Sequence, residues 1–555
     1  MVPQVPPVDA PDPHGGELTL AGLGGTATTI FTLSGGHVFP IYDACSRSGI
    51  RLVDVRHEQT AAFAAEGLAK LTRGPGVAVL TAGPGVTNAI SAITTAHFNG
   101  SPLVVLAGRA GEAGWGRGAL QELDHIPLVS PVTKLATTVR SSAAIEDTVA
   151  EARRVAVTPH RGPVFVDLPL DVIYGSAPRQ PAGQPHAGPL RPDPGPLRPD
   201  PDPAEVARAG RLLAEARRPA LVAGSDVWWD GAWGALRLCA QELRVPTFAN
   251  GMGRGCLPAD HELAFARTRS LLREADVVAV VGTPLDFRLS FGDFRGAAVI
   301  HVTDSVQPPP DHVGLAAAPA GDLSKVLLGM AGAATALRGA DHEAWIARLR
   351  DEERARRAGD SKVLGAEADP IHPARIYGEL RRRLDRDAVV IGDGGDFVSW
   401  AGRLVDSYQP GCWMDPGPYG CLGTGLGYAL AARVVHPGRQ VVLLAGDGAL
   451  GFSEMDVDTL VRHHLPVVIV VGNNGIWGLE KHPMSAIYGY DVVADLQAGC
   501  RYDEVAGALG GAGETVARPG ELGPALDRAF AAGVPYVLNV LMDPAVSYPR
   551  TSSLG

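Results

Sequence analysis

Two short polar signals near the C-terminus, Gly446-Asp447-Gly448 and Asn473-Asn474, combine the residue types that hold a cation against a phosphate. Glycine lets a backbone approach an anion closely, and a carboxylate and an amide oxygen are hard ligands for a divalent cation. Asp447 and Asn474 lie 27 residues apart. Residues 449–464 read as a helix, apolar at Leu450, Met455, Leu460 and Val461, and residues 466–472 as a strand. A further apolar strand, 440–445, precedes the first signal. Both signals therefore fall at carboxyl ends of neighbouring strands in a βαβ unit, where open α/β sheets place their ligands. A second Gly-Asp-Gly, at Gly392-Asp393-Gly394, also follows a strand but has no Asn-Asn pair at the required distance. It reads as a strand-end turn opening the same domain.

The elements that must position these groups follow from the rest of the chain. At 555 residues it has room for about three domains, and 46% hydrophobic content supplies their cores. A net charge of −11 and a pI near 5.8 exclude nucleic acid and anionic membrane as main partners. None of the six cysteines stands in a Cys-x-x-Cys pair or a zinc-spaced cluster, which points to a reduced cytoplasmic protein. Residues 1–16 are rich in Pro, Asp and Gly, lack a signal pattern and read as disordered. No apolar run approaches the ~20 residues that span a bilayer. Residues 178–203 hold ten prolines and repeat Gly-Pro-Leu-Arg-Pro-Asp-Pro at 188–194 and 195–201, the composition of an extended tether. Residues 336–370 read as a charged helical linker. Three segments remain, 17–177, 204–335 and 371–542, each alternating short apolar strands with helical stretches; residues 543–555 form a tail. The alternation predicts an α/β protein of three doubly wound parallel-sheet domains.

The first segment carries Arg56-His57-Glu58-Gln59, placing Glu58 at a strand end and in the first turn of a helix. Thr81-Ala82-Gly83-Pro84-Gly85-Val86-Thr87-Asn88 and Leu120-Gln121-Glu122-Leu123-Asp124 follow, and the third segment adds Gly417-Pro418-Tyr419-Gly420-Cys421-Leu422-Gly423-Thr424-Gly425. With these motifs in this order, the whole chain resembles the acetolactate synthase and 2-hydroxyacyl-CoA lyase (oxalyl-CoA decarboxylase-like) branch of the thiamine diphosphate enzymes, built of pyrimidine-binding, middle and diphosphate-binding domains. The resemblance implies thiamine diphosphate and Mg²⁺ as cofactors. It assigns the metal to Asp447, Asn474 and the carbonyl of Ile476, and the diphosphate turn to Gly446, Asp447, Gly448 and Ala449. It places Glu58 against N1′ of the aminopyrimidine, with Gly83 and Asn88 beside the cofactor, and makes Leu422 the apolar prop beneath it. A carboxyl group sharing a proton with a ring nitrogen in a dry pocket relays protons without exposing a full charge. The middle domain is implied to hold FAD, the ADP part of CoA, or nothing. A homodimer or homotetramer is implied, since the two halves of one site come from different chains.

The reaction class rests on finer features. Glu480, in Trp477-Gly478-Leu479-Glu480-Lys481, stands where acetolactate synthases carry an apolar residue, and it is read as a substrate-facing acid/base. Gln121 and His37, the latter after Gly35-Gly36, are further candidates at the substrate side. Gly451-Phe452-Ser453-Glu454-Met455 resembles the lyase version of the diphosphate motif, whereas Arg288 matches the synthase pattern. The expected reaction is cleavage of a 2-hydroxyacyl-CoA to formyl-CoA and an aldehyde or ketone. Acetolactate synthesis from pyruvate is the alternative, 2-keto acid decarboxylation a third reading, and a catalytically silent homologue the reading from another class. The tail is either a lid over the site or a frayed end.

Overall fold

A computed structural model describes residues 12–178, 198–335 and 341–549. Among these residues, seventeen strands form three sheets. The first holds β1 (Thr29–Thr32), β2 (Arg51–Asp54), β3 (Gly76–Leu80), β4 (Leu103–Arg109), β5 (Leu135–Thr138) and β6 (Val164–Pro169), in the order β2-β1-β3-β4-β6-β5. The second holds β7 (Pro219–Ala223), β8 (Thr247–Ala249), β9 (Val277–Val281), β10 (Ala298–Val302) and β11 (Leu315–Ala317), in the order β11-β10-β9-β7-β8. The third holds β12 (Val389–Asp393), β13 (Trp413–Met414), β14 (Val441–Gly446), β15 (Val468–Asn473), β16 (Ala512–Val516) and β17 (Tyr536–Leu541), in the order β13-β12-β14-β15-β17-β16.

All strand pairings in these sheets are parallel, as the alternation of strands and helices requires. Parallel strands are covered on both faces and so read as unbroken apolar runs; Val-Val-Leu-Leu-Ala of β14 and Val-Ile-Val-Val of β15 are fully buried. In the first and third sheets the strand order reverses at one place, between β1 and β3 and between β12 and β14. Loops leaving adjacent strands there turn in opposite directions and open a crevice at the carboxyl edge. The first sheet lies in one structural unit and the other two in a second.

Several expected boundaries move. The helix Gly15–Leu23 takes in Gly15 and Gly16, which the sequence placed in a disordered N-terminus; residues 1–11 of that segment lie outside the described residues. Most of the proline-rich tether, 179–197, also lies outside them, but its end is helical. Pro203 opens the helix Pro203–Glu215, and Asp202 caps it by accepting from the Ala204 amide at 2.9 Å. Proline suits this first position, where its missing N–H costs nothing. The charged linker contains the helix Glu343–Leu364, which is packed: Trp345, Ile346 and Leu349 are buried, and Trp345 donates to the Pro219 carbonyl at 3.0 Å. The expected single helix over 449–464 is broken into Asp447–Leu450, a 3₁₀ turn at Glu454–Asp456, and Val457–Arg462. Ser453 leaves the helical region at φ −144° and ψ 5°, and Met455, expected on the apolar face, is 50% exposed.

Candidate active site

The crevice of the first sheet is built by close backbone approach. A Cβ on Gly35, after β1, would lie 2.3 Å from Cβ of Thr81, after β3, so only glycine fits. The chain then turns so that His37 Nδ1 comes 3.2 Å from Thr81 Oγ1, and that hydroxyl reaches Gln121 Oε1 at 3.4 Å. His37, Thr81 and Gln121 thus form a short polar row. Burial lowers the pKa of His37, which favours a neutral imidazole.

Glu58 begins the helix Glu58–Thr72 and is buried. Its Oε2 accepts from Asn88 Nδ2 at 2.9 Å. Asn88 sits in the helix Pro84–Phe98, whose N-cap is Gly83 at φ 59° and ψ −109°, a conformation open to glycine and costly for other residues. The structure therefore brings together Glu58 with Asn88 and His37 with Gln121, and it sets Gly83 at the start of Asn88's helix.

Sequence reasoning missed two residues here. The Gly83 amide donates to His125 Nε2 at 3.0 Å, and His125 Nδ1 meets Asp167 Oδ1 at 2.9 Å; both side chains are fully buried. Burial raises the pKa of Asp167, with the His125 hydrogen bond opposing. The available signal was an Asp inside the apolar run Val-Phe-Val-Asp-Leu-Pro of β6, since a carboxylate in a buried strand needs a partner.

In the third sheet Gly446 pairs with Gly472, so β14 and β15 end side by side and release their polar residues together. Asp447 Oδ2 accepts from the Gly475 amide at 2.7 Å and Oδ1 from the Gly448 amide at 3.0 Å. Asn474 Oδ1 accepts from the Ile476 amide at 3.2 Å. Burial raises the Asp447 pKa to about 6. A Cβ on Gly446 would meet nothing within 4 Å, whereas one on Gly448 would strike the Trp477 ring at 2.4 Å, so the turn is open on one side and backed on the other. A buried carboxylate beside an amide oxygen, under an open glycine turn, fits a Mg²⁺-bound diphosphate. The two asparagines divide their work. Asn473 is buried and donates to the Cys500 carbonyl and to Asn539 Oδ1, both at 3.0 Å, which makes it a structural tie.

The second Gly-Asp-Gly does more than turn the chain. Asp393 ends β12 at the crevice, and its two oxygens accept from the Gly423 and Gly425 amides at 3.2 and 2.8 Å. Those residues directly follow Leu422, which is half-buried, so Asp393 anchors the turn that presents it. Burial raises the pKa of Asp393 to about 7. A Cβ on Gly394 would lie 3.3 Å from Cβ of Ala449, which ties this turn to the diphosphate turn as well.

Glu480 is exposed in the first turn of the helix Gly478–Tyr488. Its neighbour Lys481 pairs with Asp491 and Asp495 at 2.6 and 2.8 Å. Of the tail, the Tyr548 amide donates to Asp396 Oδ1 at 2.8 Å and its ring packs edge-on against Trp400; residues 550–555 lie outside the described residues.

In the second sheet the turns where β7 and β9 end pack against each other. A Cβ on Gly224 would lie 2.3 Å from the Gly282 carbonyl oxygen, and the Asp226 amide donates to that oxygen at 2.9 Å. The Met252 amide is taken by Ser225 Oγ at 3.2 Å. Those two amides are spent inside the protein, and Asp226 itself is buried.

Comparison with known proteins agrees with the three-sheet plan. Residues 15–128 match the N-terminal TPP binding domain of thiamine pyrophosphate enzymes, residues 206–327 their central domain, and residues 393–540 their C-terminal TPP binding domain. The chain is 52% identical over 539 residues, covering 95% of each chain, to an acetolactate synthase large subunit of Mycobacterium tuberculosis, and equally to a probable acetolactate synthase of Mycobacterium bovis. It is 35% identical over 555 residues to 2-hydroxyacyl-CoA lyase 2 of Homo sapiens, covering 92% of this chain and 86% of the other. These similarities reverse the order expected from the Glu480 segment, setting synthase relatives ahead of lyase relatives. The chain belongs to the thiamine pyrophosphate enzymes, with all three of their domains present.

Proposed function

We propose that the chain is a thiamine diphosphate- and Mg²⁺-dependent enzyme of the acetolactate synthase type, which decarboxylates pyruvate and joins the product to a second 2-keto acid. The observation that carries this reading is the 52% identity, over 95% of the chain, to proteins named acetolactate synthases. When bound, the cofactor supplies the electron sink for breaking and making a bond beside a carbonyl. The chain's own residues bind and orient. Asp447, Asn474 and the Ile476 carbonyl hold the metal, and the turn of Gly446, Gly448 and Ala449 receives the diphosphate. Glu58, fixed by Asn88, holds a proton at the aminopyrimidine, with Gly83 beside it and Leu422 as the apolar support. His37 and Gln121 face the small-molecule substrate. A homodimer or homotetramer and a reducing, cytoplasmic setting belong to the same reading; the six free cysteines suit the latter. No middle-domain nucleotide is needed for these roles.

A second reading, 2-hydroxyacyl-CoA lyase, has one observation in its favour. Glu480 is exposed while Lys481 is committed to two aspartates, which leaves Glu480 unneutralised by its neighbour. Mass spectrometry of products decides between them. The purified protein with thiamine diphosphate and Mg²⁺ is given pyruvate in one tube and 2-hydroxyacyl-CoA thioesters in another. Acetolactate with intact thioesters is expected; formyl-CoA with unchanged pyruvate would overturn the synthase reading.

A further inference from the structure

The fully buried pair His125 and Asp167 lies outside every motif that suggested the cofactor site, yet it is hydrogen-bonded to a residue of that site. His125 Nε2 accepts from the Gly83 amide at 3.0 Å, so the ring proton must sit on Nδ1, where it is donated to Asp167 Oδ1 at 2.9 Å. The imidazole is also held edge-on by Phe165, with ring centroids 6.0 Å apart. A carboxylate with no exposure and a histidine with none are costly to bury unless each satisfies the other. His125 uses both ring nitrogens, one on Asp167 Oδ1 and the other on the Gly83 amide, while Asp167 Oδ2 faces Arg109 Nη1 at 3.9 Å.

Gly83 is the N-cap of the helix that carries Asn88 and adopts a backbone conformation, φ 59° and ψ −109°, that must be held in place. Its surroundings are tight, for a Cβ there would lie 2.9 Å from the Gln121 carbonyl oxygen and 3.0 Å from Gln121 Cβ. One turn along the helix, Asn88 fixes Glu58, and Gly85 lies close enough that its Cβ would be 3.8 Å from Glu58 Oε1.

We infer that His125, oriented by Asp167, is a positioning residue: by holding the Gly83 amide it sets the start of the Pro84–Phe98 helix and thereby the orientation of the Glu58 carboxyl. This rests on the reading of Glu58 as the group that meets the aminopyrimidine. A protonated His125 would turn an N–H toward the Gly83 N–H, so the arrangement works only with the neutral ring. The role differs from plain core filling because one specific proton acceptor, not bulk, is what Gly83 requires.

The test uses two substitutions. In His125→Asn the shorter amide keeps Asp167 partnered but falls short of Gly83; in His125→Gln the amide oxygen reaches Gly83 while its NH₂ still donates to Asp167. Hydrogen–deuterium exchange on the cofactor-free chain reads the Gly83 amide directly. We expect protection in the parent and in His125→Gln, and exchange faster by on the order of tenfold in His125→Asn. With thiamine diphosphate and Mg²⁺ bound, C2–H exchange should slow by about tenfold in His125→Asn and recover in His125→Gln, with cofactor affinity nearly constant. A parental Gly83 amide that exchanges like an exposed loop overturns the inference with no variant needed. Parental C2–H exchange in a folded His125→Asn protein overturns it too. If the parent itself does not accelerate C2–H exchange, the cofactor reading has failed instead, and Gly83 protection still decides the His125 contact.

Discussion

Asn88 donates to Oε2 of Glu58 across 2.9 Å, from a helix that starts at Gly83 to the first residue of a neighbouring helix. The carboxyl is buried and fixed on one oxygen, so its remaining capacity has a defined direction. Glu58→Gln keeps that contact but cannot exchange a proton with a ring nitrogen. Cofactor C2–H exchange should fall by roughly 10²–10⁴-fold while thiamine diphosphate still binds. NMR of the bound cofactor during deuterium exchange measures it, and a rate near the parent's removes Glu58 from the proton relay.

Asp447 offers the metal a carboxylate whose pKa burial has raised to about 6. A metal ligand must be deprotonated, so Mg²⁺ affinity should weaken as pH falls through about 6 and level off above it. Asp447→Asn retains an oxygen for the Gly475 amide but lacks the charge. It should bind Mg²⁺ at least roughly tenfold more weakly at pH near 8, and its pH dependence should flatten. Titration calorimetry with Mg²⁺ and thiamine diphosphate checks both, and equal affinity in parent and variant would move the metal elsewhere.

Asp393 predicts the opposite trend for stability. Its pKa in the folded chain is raised from 3.8 to about 7, so between those values the folded state binds more protons than the unfolded chain. Stability from this group is therefore greatest at low pH, declines as pH rises toward 7, and is constant above, with an upper bound of about 4 kcal/mol for the change. Asp393→Asn should remove that slope. Urea unfolding of the cofactor-free protein at pH 5 and pH 8 makes the comparison, and parallel slopes in parent and variant refute it.

What the sequence could reveal depended on whether a residue's partner is local. Strand runs such as 77–80 and 441–445 stood out because burial on both faces of a parallel sheet demands continuous apolar residues. Asp447 and Asn474 were found because one βαβ unit fixes their separation. His125 and Asp167 were missed because they stand 42 residues apart, one just before a short helix and the other within β6, and meet only in the folded chain. Asp393 was read as a turn for the same reason: its partners are the amides of Gly423 and Gly425, and an amide leaves no trace in a sequence. Residues 449–464 were read as one helix because a 3.6-residue apolar period continues through Gly451–Ser453, where the backbone leaves the helical region. Order among the relatives was hidden too, for Glu480 pointed to a lyase while overall similarity favours synthases.

Glu480 offers the last discrimination. It stands in the first turn of a helix that starts immediately after the Asn474–Ile476 turn, and Lys481 is held away by Asp491 and Asp495. If substrate protonation at this point were part of the reaction, removing the ionisable group should cost 10²-fold or more in turnover, the usual scale for a general acid. A synthase instead joins its bound product to a second keto acid, and a proton delivered at that carbon would divert the reaction to an aldehyde. In the synthase reading, Glu480→Gln should leave both acetolactate formation and any acetaldehyde side product within about twofold of the parent, since an exposed charge off the reaction path changes little. Chromatography of both products from one pyruvate reaction measures the ratio. Loss of acetolactate in step with aldehyde would make Glu480 part of the common chemistry instead.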